Sequence, residues 1–309
     1  LSLDGGGLRG IFSAAVLAGL EDDLGTTITD HFDLIAGTST GGIIALGLGL
    51  GMRPREIVEL YADLGPRVFG GPPGVRSIRR MVRPKHNAAD LRSVLAEAFG
   101  ERTLGESSKR LVITSYNLSS DDIYLFRTPH LSHLKRDWKA SATDVALATA
   151  AAPTYFSCHR LANTRLVDGG LWANNPSLVA LIEATGPLGV PMDAIRMFSL
   201  GTTGAAPFRH RRLDRGGILP WAMQTVPVIM RAQSIGVTNQ VRHLITPERL
   251  LRLDPVVSAR AVSLDRVDAE ELMGRGAHES RIVCPAFEEL FAGHRADPYI
   301  PCHRTETAR

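Results

Sequence analysis

The stretch Gly37-Thr38-Ser39-Thr40-Gly41-Gly42 constrains the chain more than any other, because it sets one serine among glycines where one apolar run ends and another begins. Phe32-Asp33-Leu34-Ile35-Ala36 is short, apolar and bounded by polar positions, as expected of a buried parallel strand, and Ile43-Ile44-Ala45-Leu46 continues as a helix. A strand-to-helix turn this tight has no room for side chains beside the serine, so glycines flank it at 37 and 41. The hydroxyl is pushed out at the helix N-terminus, where amide N–H groups meet developing negative charge. Ser39 is therefore the candidate nucleophile. The five-residue pattern alone does not separate a catalytic elbow from a small-residue turn.

The same order of elements occurs upstream. Leu1-Ser2-Leu3 reads as the end of a strand, followed by the loop Asp4-Gly5-Gly6-Gly7-Leu8-Arg9-Gly10 and a helix with Ile11, Phe12, Val16 and Leu20 on one face. Two strand–helix units in fifty residues predict a parallel sheet with helices on its faces. The chain has no initiator methionine and begins inside an apparent strand, so the expectation is a trimmed N-terminus.

Further along, Pro54 opens a helix, residues 70–84 form a long Gly-, Pro- and Arg-rich connection, and Asn87 caps the next helix. Residues 111–114 and 123–126 read as strands, and Ser141 with Asp144 begins an alanine-rich helix that Pro153 stops. Arg165-Leu166-Val167 is a short strand ending in Asp168-Gly169-Gly170, and Asn175-Pro176 starts another helix. Beyond a strand at 195–200, the sequence predicts a helical stretch over 220–245 kinked or broken at Pro227, an edge strand at 250–253, and separate helices at 269–273 and 285–291.

Composition removes several function classes. A net charge of +3 over 309 residues is too small to imply a nucleic-acid polymer as partner. Cys158, Cys284 and Cys302 are far apart and odd in number, which suggests neither a disulfide framework nor a zinc site and fits a reducing cytoplasm. The longest small-and-apolar run, residues 43–52, is too short to span a bilayer, so membrane contact is expected to be peripheral.

Ser39 needs a base and an oxyanion site. Three consecutive glycines after a strand let backbone N–H groups approach a carbonyl oxygen, so Gly5 to Gly7 can supply the second. Gly5, Gly7 and Gly10 also match a dinucleotide fingerprint, but that reading requires an acidic residue ending the second strand, where Ala36 and the elbow stand instead. Asp168 is the best candidate base, since a strand end before two glycines projects a carboxylate into a site at the sheet edge; the competing reading is an aspartate closing a turn. The histidines sit mostly in polar or basic runs, and His243 is the one that would complete a serine, aspartate, histidine order. Two basic groups, Arg76, Arg79, Arg80, Arg83 and Lys85, and Arg209, Arg211, Arg212 and Arg215, either meet anionic lipid headgroups or are solvated loop residues. The 220–245 stretch, with Trp221, Met223, Ile229 and Met230, reads as core or as a lipid-facing lid.

The blocks Asp4 to Gly10, Gly37 to Gly41, Ala151-Ala152-Pro153-Thr154-Tyr155-Phe156 and Asp168-Gly169-Gly170, in that order, resemble the patatin-like phospholipases. The resemblance implies an α/β three-layer sandwich with a mostly parallel central sheet flanked by helices. Its catalytic core would cover residues 1–200, with a mostly helical part, 201–309, packed on the same domain. It implies a Ser39–Asp168 dyad without histidine, an oxyanion hole from the Gly5, Gly6 and Gly7 amides, and support from Arg9, Gly37, Gly41, Gly169 and Gly170, with no metal or cofactor. The implied reaction is phospholipase A-type hydrolysis of fatty-acyl esters at the inner face of a membrane. The motifs and length are also similar to patatin-like effectors of bacterial anti-phage defence that cyclic oligonucleotides switch on, which makes such a nucleotide the expected activator. A Ser-His-Asp esterase acting on soluble esters and a catalytically idle binding module of the same fold stay open as alternatives.

Overall fold

The computed structural model describes residues 1–69, 84–205, 213–218, 221, 224–257 and 268–303. The strands are β1 (Ser2–Leu3), β2 (Leu34–Thr38), β3 (Arg110–Asn117), β4 (Asp122–Arg127), β5 (His159–Leu161), β6 (Thr164–Asp168), β7 (Met197–Leu200), β8 (Gly204–Ala205), β9 (Leu250–Leu253) and β10 (Val256–Val257). Eight of them form one sheet in the order β5-β6-β3-β2-β1-β7-β9, with β4 on the other edge of β3, while β8 and β10 pair separately. The run β3-β2-β1-β7-β9 is parallel throughout; β4 and β6 run antiparallel to β3. The helices are α1 (Gly10–Leu24), α2 (Thr40–Gly49), α3 (Pro54–Leu64), α4 (Ala88–Phe99), α5 (Ala142–Thr149), α6 (Gly170–Ala173), α7 (Ser177–Thr185), α8 (Thr225–Ile245) and α9 (Ala269–Phe287). The result is an α/β three-layer arrangement around a mostly parallel sheet.

The period-2 alternation of the strands divides the interior into two cores. Ile35, Leu111 and Ile113 face the layer of α1 to α5 and α9, while Ala36, Val112 and Met197 face α7 and α8 through Ala180, Leu181, Val237 and Val241. Burial on both faces explains why the central strands read as nearly continuous apolar runs.

The described residues after 200 are built into this frame. β9 extends the sheet beyond β7. α9 lies along α1 at close range: a Cβ on Gly276 would fall 2.6 Å from Ala15 Cβ, and one on Gly19 would fall 2.2 Å from Ser280 Oγ. Phe287 and Phe291 pack edge-on or tilted against Phe32 and Phe198, with centroid separations of 5.6–6.2 Å. Two expectations are corrected here. The two helices predicted at 269–273 and 285–291 are one, α9, which runs through Gly276 and Pro285 and ends in a π turn, Glu288–Ala292; Gly276 is a packing residue, not a breaker. Pro227 neither kinks nor breaks α8, because it sits in the first turn, where no helical N–H bond is lost.

Candidate active site

The register of β3 brings the two candidate residues together. Arg110 to Thr114 pair with β2, and Ser115 to Asn117 pair, on that same edge, with β6 running the opposite way. Thr38 lies opposite Thr114 and Asp168 opposite Ser115, so β2 and β6 point their C-terminal ends at each other across one step of β3. Ser39 follows Thr38 directly. Because parallel strands deliver their loops to their C-terminal edge, the loops after β1, β7 and β9 arrive at the same place.

Ser39 adopts φ 54°, ψ −120°, a conformation that a side-chain-bearing residue takes only under constraint. The constraint is visible on both sides. A Cβ on Gly37 would fall 2.3 Å from Gly41 O, and one on Gly41 would fall 2.1 Å from Leu3 O. The Ser39 amide donates to Thr149 Oγ1 (2.8 Å), which donates to Thr114 O (2.6 Å), tying the turn to α5 and β3.

Asp168 is 3% exposed. Burial pushes its carboxyl up to about 6, against hydrogen bonds from the Ser39 hydroxyl and the Gly170 amide that favour the ionised form. The Gly170 N–H meets Oδ1 at 2.7 Å. Gly169 is sterically required, since a Cβ there would fall 2.1 Å from Thr114 Oγ1 and 2.6 Å from the Thr114 carbonyl, while one on Gly170 would crowd Met230 Cε and Asp168 Oδ1.

The glycine loop leaves β1 with the Asp4 N–H on Leu200 O (3.0 Å) and the Gly5 N–H on Asn174 O (2.9 Å). The Gly5 amide is thereby engaged, which narrows the expected donors Gly5, Gly6 and Gly7: the Gly6 and Gly7 peptides are the ones that line the cleft with Ser39 and Asp168. Arg9, whose burial lowers its tendency to hold a proton, donates through Nε to Gly6 O (3.1 Å) and through Nη1 to Thr203 O (2.6 Å), bracing the loop from behind. Thr202 Oγ1 donates to Gly5 O at 3.1 Å.

Above these residues opens a cleft of about 680 Å³, its mouth included, with walls of Leu8, Ile43, Leu64, Leu91 and Phe156 and an overhang of Val226 and Met230 from α8. The cleft is apolar except at its floor, where Ser39 and Asp168 meet. Among the described residues, no histidine lines it. His130 is buried against Glu183 (2.9 Å), His31 contacts Thr26 and the His294 carbonyl, and His243 is exposed on the last turn of α8.

Several residues escaped the sequence reading. Asp4 is gripped by Arg252 through Nη1–Oδ1 (2.8 Å) and Nη2–Oδ2 (2.6 Å), and Asp254 stands between Arg252 (3.3 Å) and Arg231 (2.7 Å). Burial disfavours the Arg252 cation, yet the two carboxylates outweigh it and hold the group charged. The only signal in sequence was an arginine inside the otherwise apolar strand Leu250–Leu253. Asn174 drew no reading from the sequence, yet its carbonyl accepts from the Gly5 N–H and its Nδ2 donates to Ser234 Oγ (3.1 Å) on α8. Arg76, Arg79, Arg80, Arg83, Arg209, Arg211, Arg212 and Met223 lie outside the described residues; Lys85 places Nζ 5.5 Å from the Tyr155 ring centroid, and Arg215 is exposed. Among the described residues, no helix is long and apolar enough to cross a membrane.

A family model described as patatin-like phospholipase matches residues 1–181. A protein of Pseudomonas aeruginosa named cGAMP-activated phospholipase is 36% identical, over 98% of this chain and 94% of its own length. A protein of that name from Vibrio cholerae is 36% identical over 66% of this chain and 64% of its own length, and Patatin-like protein 1 of Arabidopsis thaliana is 30% identical over 72% of this chain and 63% of its own. The solved structure of VipD from Legionella pneumophila superposes with a TM-score of 0.50 at 13% identity, covering 92% of this chain and 66% of that one, a likeness of fold alone. The chain belongs to the patatin-like phospholipase family.

Proposed function

We propose that the protein hydrolyses fatty-acyl esters of membrane phospholipids through a Ser39–Asp168 dyad. The observation that carries this is the register of β3, which brings the two residues side by side at the floor of an apolar cleft. Asp168 accepts the Ser39 proton as Oγ attacks the ester carbonyl, and the resulting oxyanion is held by the Gly6 and Gly7 amides beside the N-terminus of α2. Collapse of this intermediate releases the alcohol, which takes the proton from Asp168, and leaves an acyl group on Ser39. Water then attacks the acyl carbonyl, giving its proton to Asp168, and the fatty acid leaves as Ser39 regains its proton. A base that titrates near 6 is ionised at neutral pH yet basic enough to take part in the transfer.

Substrate reaches the cleft from a membrane surface in this reading. The N-terminal half of α8 supplies Val226 and Met230 to the cleft and exposes Ile229, with Ile218 and Trp221 exposed before it. Contact in this reading is peripheral, through these exposed apolar side chains. The bacterial relatives' name supports a cyclic nucleotide such as cGAMP as activator.

Incubation of the purified chain with vesicles of labelled phospholipid, with and without cGAMP, tests the proposal. Fatty acid should be released, more with cGAMP, and Ser39→Ala and Asp168→Asn should each reduce release at least about 10³-fold. Release that survives either substitution rejects the dyad.

A further inference from the structure

Arg252 lies outside residues 1–181, the part covered by the family match. It nevertheless reaches the first residue of the glycine loop. Its guanidinium meets both oxygens of Asp4 (2.8 and 2.6 Å) and also donates from Nη1 to Ser199 Oγ (2.8 Å), while Asp254 stands 3.3 Å from Nη2. The two side chains are 7% and 4% exposed. A two-pronged bond of this kind leaves a carboxylate a single orientation as well as a single position. The backbone on either side is also tied, Asp4 N–H to Leu200 O and Gly5 N–H to Asn174 O. The direction of the next two amides is thus set by what precedes them. Gly6 has little freedom of its own, since a Cβ there would fall 1.9 Å from Thr202 Oγ1.

We infer that Arg252 is a positioning residue for the hydrolysis: by clamping Asp4 it aims the Gly6 and Gly7 amides at the oxyanion, without touching substrate. The inference rests on the reading of Ser39 as nucleophile. Oxyanion donors act only when they stand at hydrogen-bonding distance from the developing charge, so an error of a fraction of an ångström in the loop weakens the transition state and leaves substrate binding in the apolar cleft intact. A guanidinium that only supported the fold would change melting temperature and leave turnover of the folded protein unaltered.

The test is steady-state hydrolysis of a soluble ester, p-nitrophenyl butyrate, with and without cGAMP. The proteins compared are the full chain, Ser39→Ala, Arg252→Lys, and the double variant Asp4→Asn with Arg252→Met, each with its thermal melt. Lysine keeps the charge and loses the fork, so kcat should fall about 10- to 100-fold while KM stays within about threefold. The double variant removes both charges together and so avoids an unpaired buried ion; its kcat should stay low even where its melting temperature matches the parent's. A kcat within about twofold of the parent in either folded variant, or a loss confined to KM, overturns the inference. A parent no faster than Ser39→Ala overturns the nucleophile reading and the inference with it.

Discussion

Asp4 and Asp168 are two carboxylates buried to the same degree, 3% exposed each, at the ends of strands that feed one site. Their partners differ. Asp4 has the Arg252 guanidinium at 2.6 and 2.8 Å, whereas Asp168 has a hydroxyl and a backbone amide. Burial raises both carboxyls, and at Asp4 the fixed cation opposes that rise. At Asp168 only neutral donors oppose it, so the group titrates near 6. A buried acid forked by a guanidinium is held in one orientation and serves the structure; one that meets only neutral donors and titrates near 6 can exchange a proton with the hydroxyl beside it.

This contrast breaks most visibly in stability. Asp4→Asn leaves a buried guanidinium short of its main partner and should cost about 3 kcal/mol in chemical denaturation. Asp168→Asn should act in the opposite direction. The folded carboxyl binds its proton up to about pH 6 and the unfolded one only to about 4, so ionisation at Asp168 destabilises the fold progressively as pH rises from 4 to 6. Asparagine removes that cost, and the variant should be more stable by up to about 3 kcal/mol at pH 8, with the gain vanishing below pH 4. Denaturation curves at pH 4 and 8 check both signs.

A smaller effect separates conformational strain from charge. Ser39 sits at positive φ, so Ser39→Gly should be more stable than Ser39→Ala by about 1 kcal/mol, both being inactive. Equal melting temperatures would show that the turn carries no strain. The smallest effect belongs to His243: exposed and away from the cleft, it should tolerate alanine with hydrolysis within about twofold of the parent. A large loss there would restore the Ser-His-Asp alternative.

Legibility in the sequence followed the range of the interactions. The elbow around Ser39 and the turn after Asp168 are legible because their glycines are adjacent in sequence to the residue they serve, and Gly37, Gly41 and Gly169 each answer a clash within the turn or against an adjoining strand. The sheet class was legible because buried parallel strands leave apolar runs. Arg252 was not, because its partner stands 248 residues away and the two meet only through the register of β1, β7 and β9. The engagement of the Gly5 amide was hidden for the same reason: its partner is the carbonyl of Asn174. In α9, Gly276 has the local character of a breaker, and contact with α1 overrides it.

The claim that Ser39 works with an aspartate alone is tested most directly by the pH dependence of its labelling with a fluorophosphonate, a single acylation-like step that needs no lipid interface. The labelling rate should rise about tenfold per pH unit below 6, level off above it, and disappear in Asp168→Asn at every pH. A midpoint near 7 that is lost on replacing a histidine, or labelling that persists in Asp168→Asn, would contradict it.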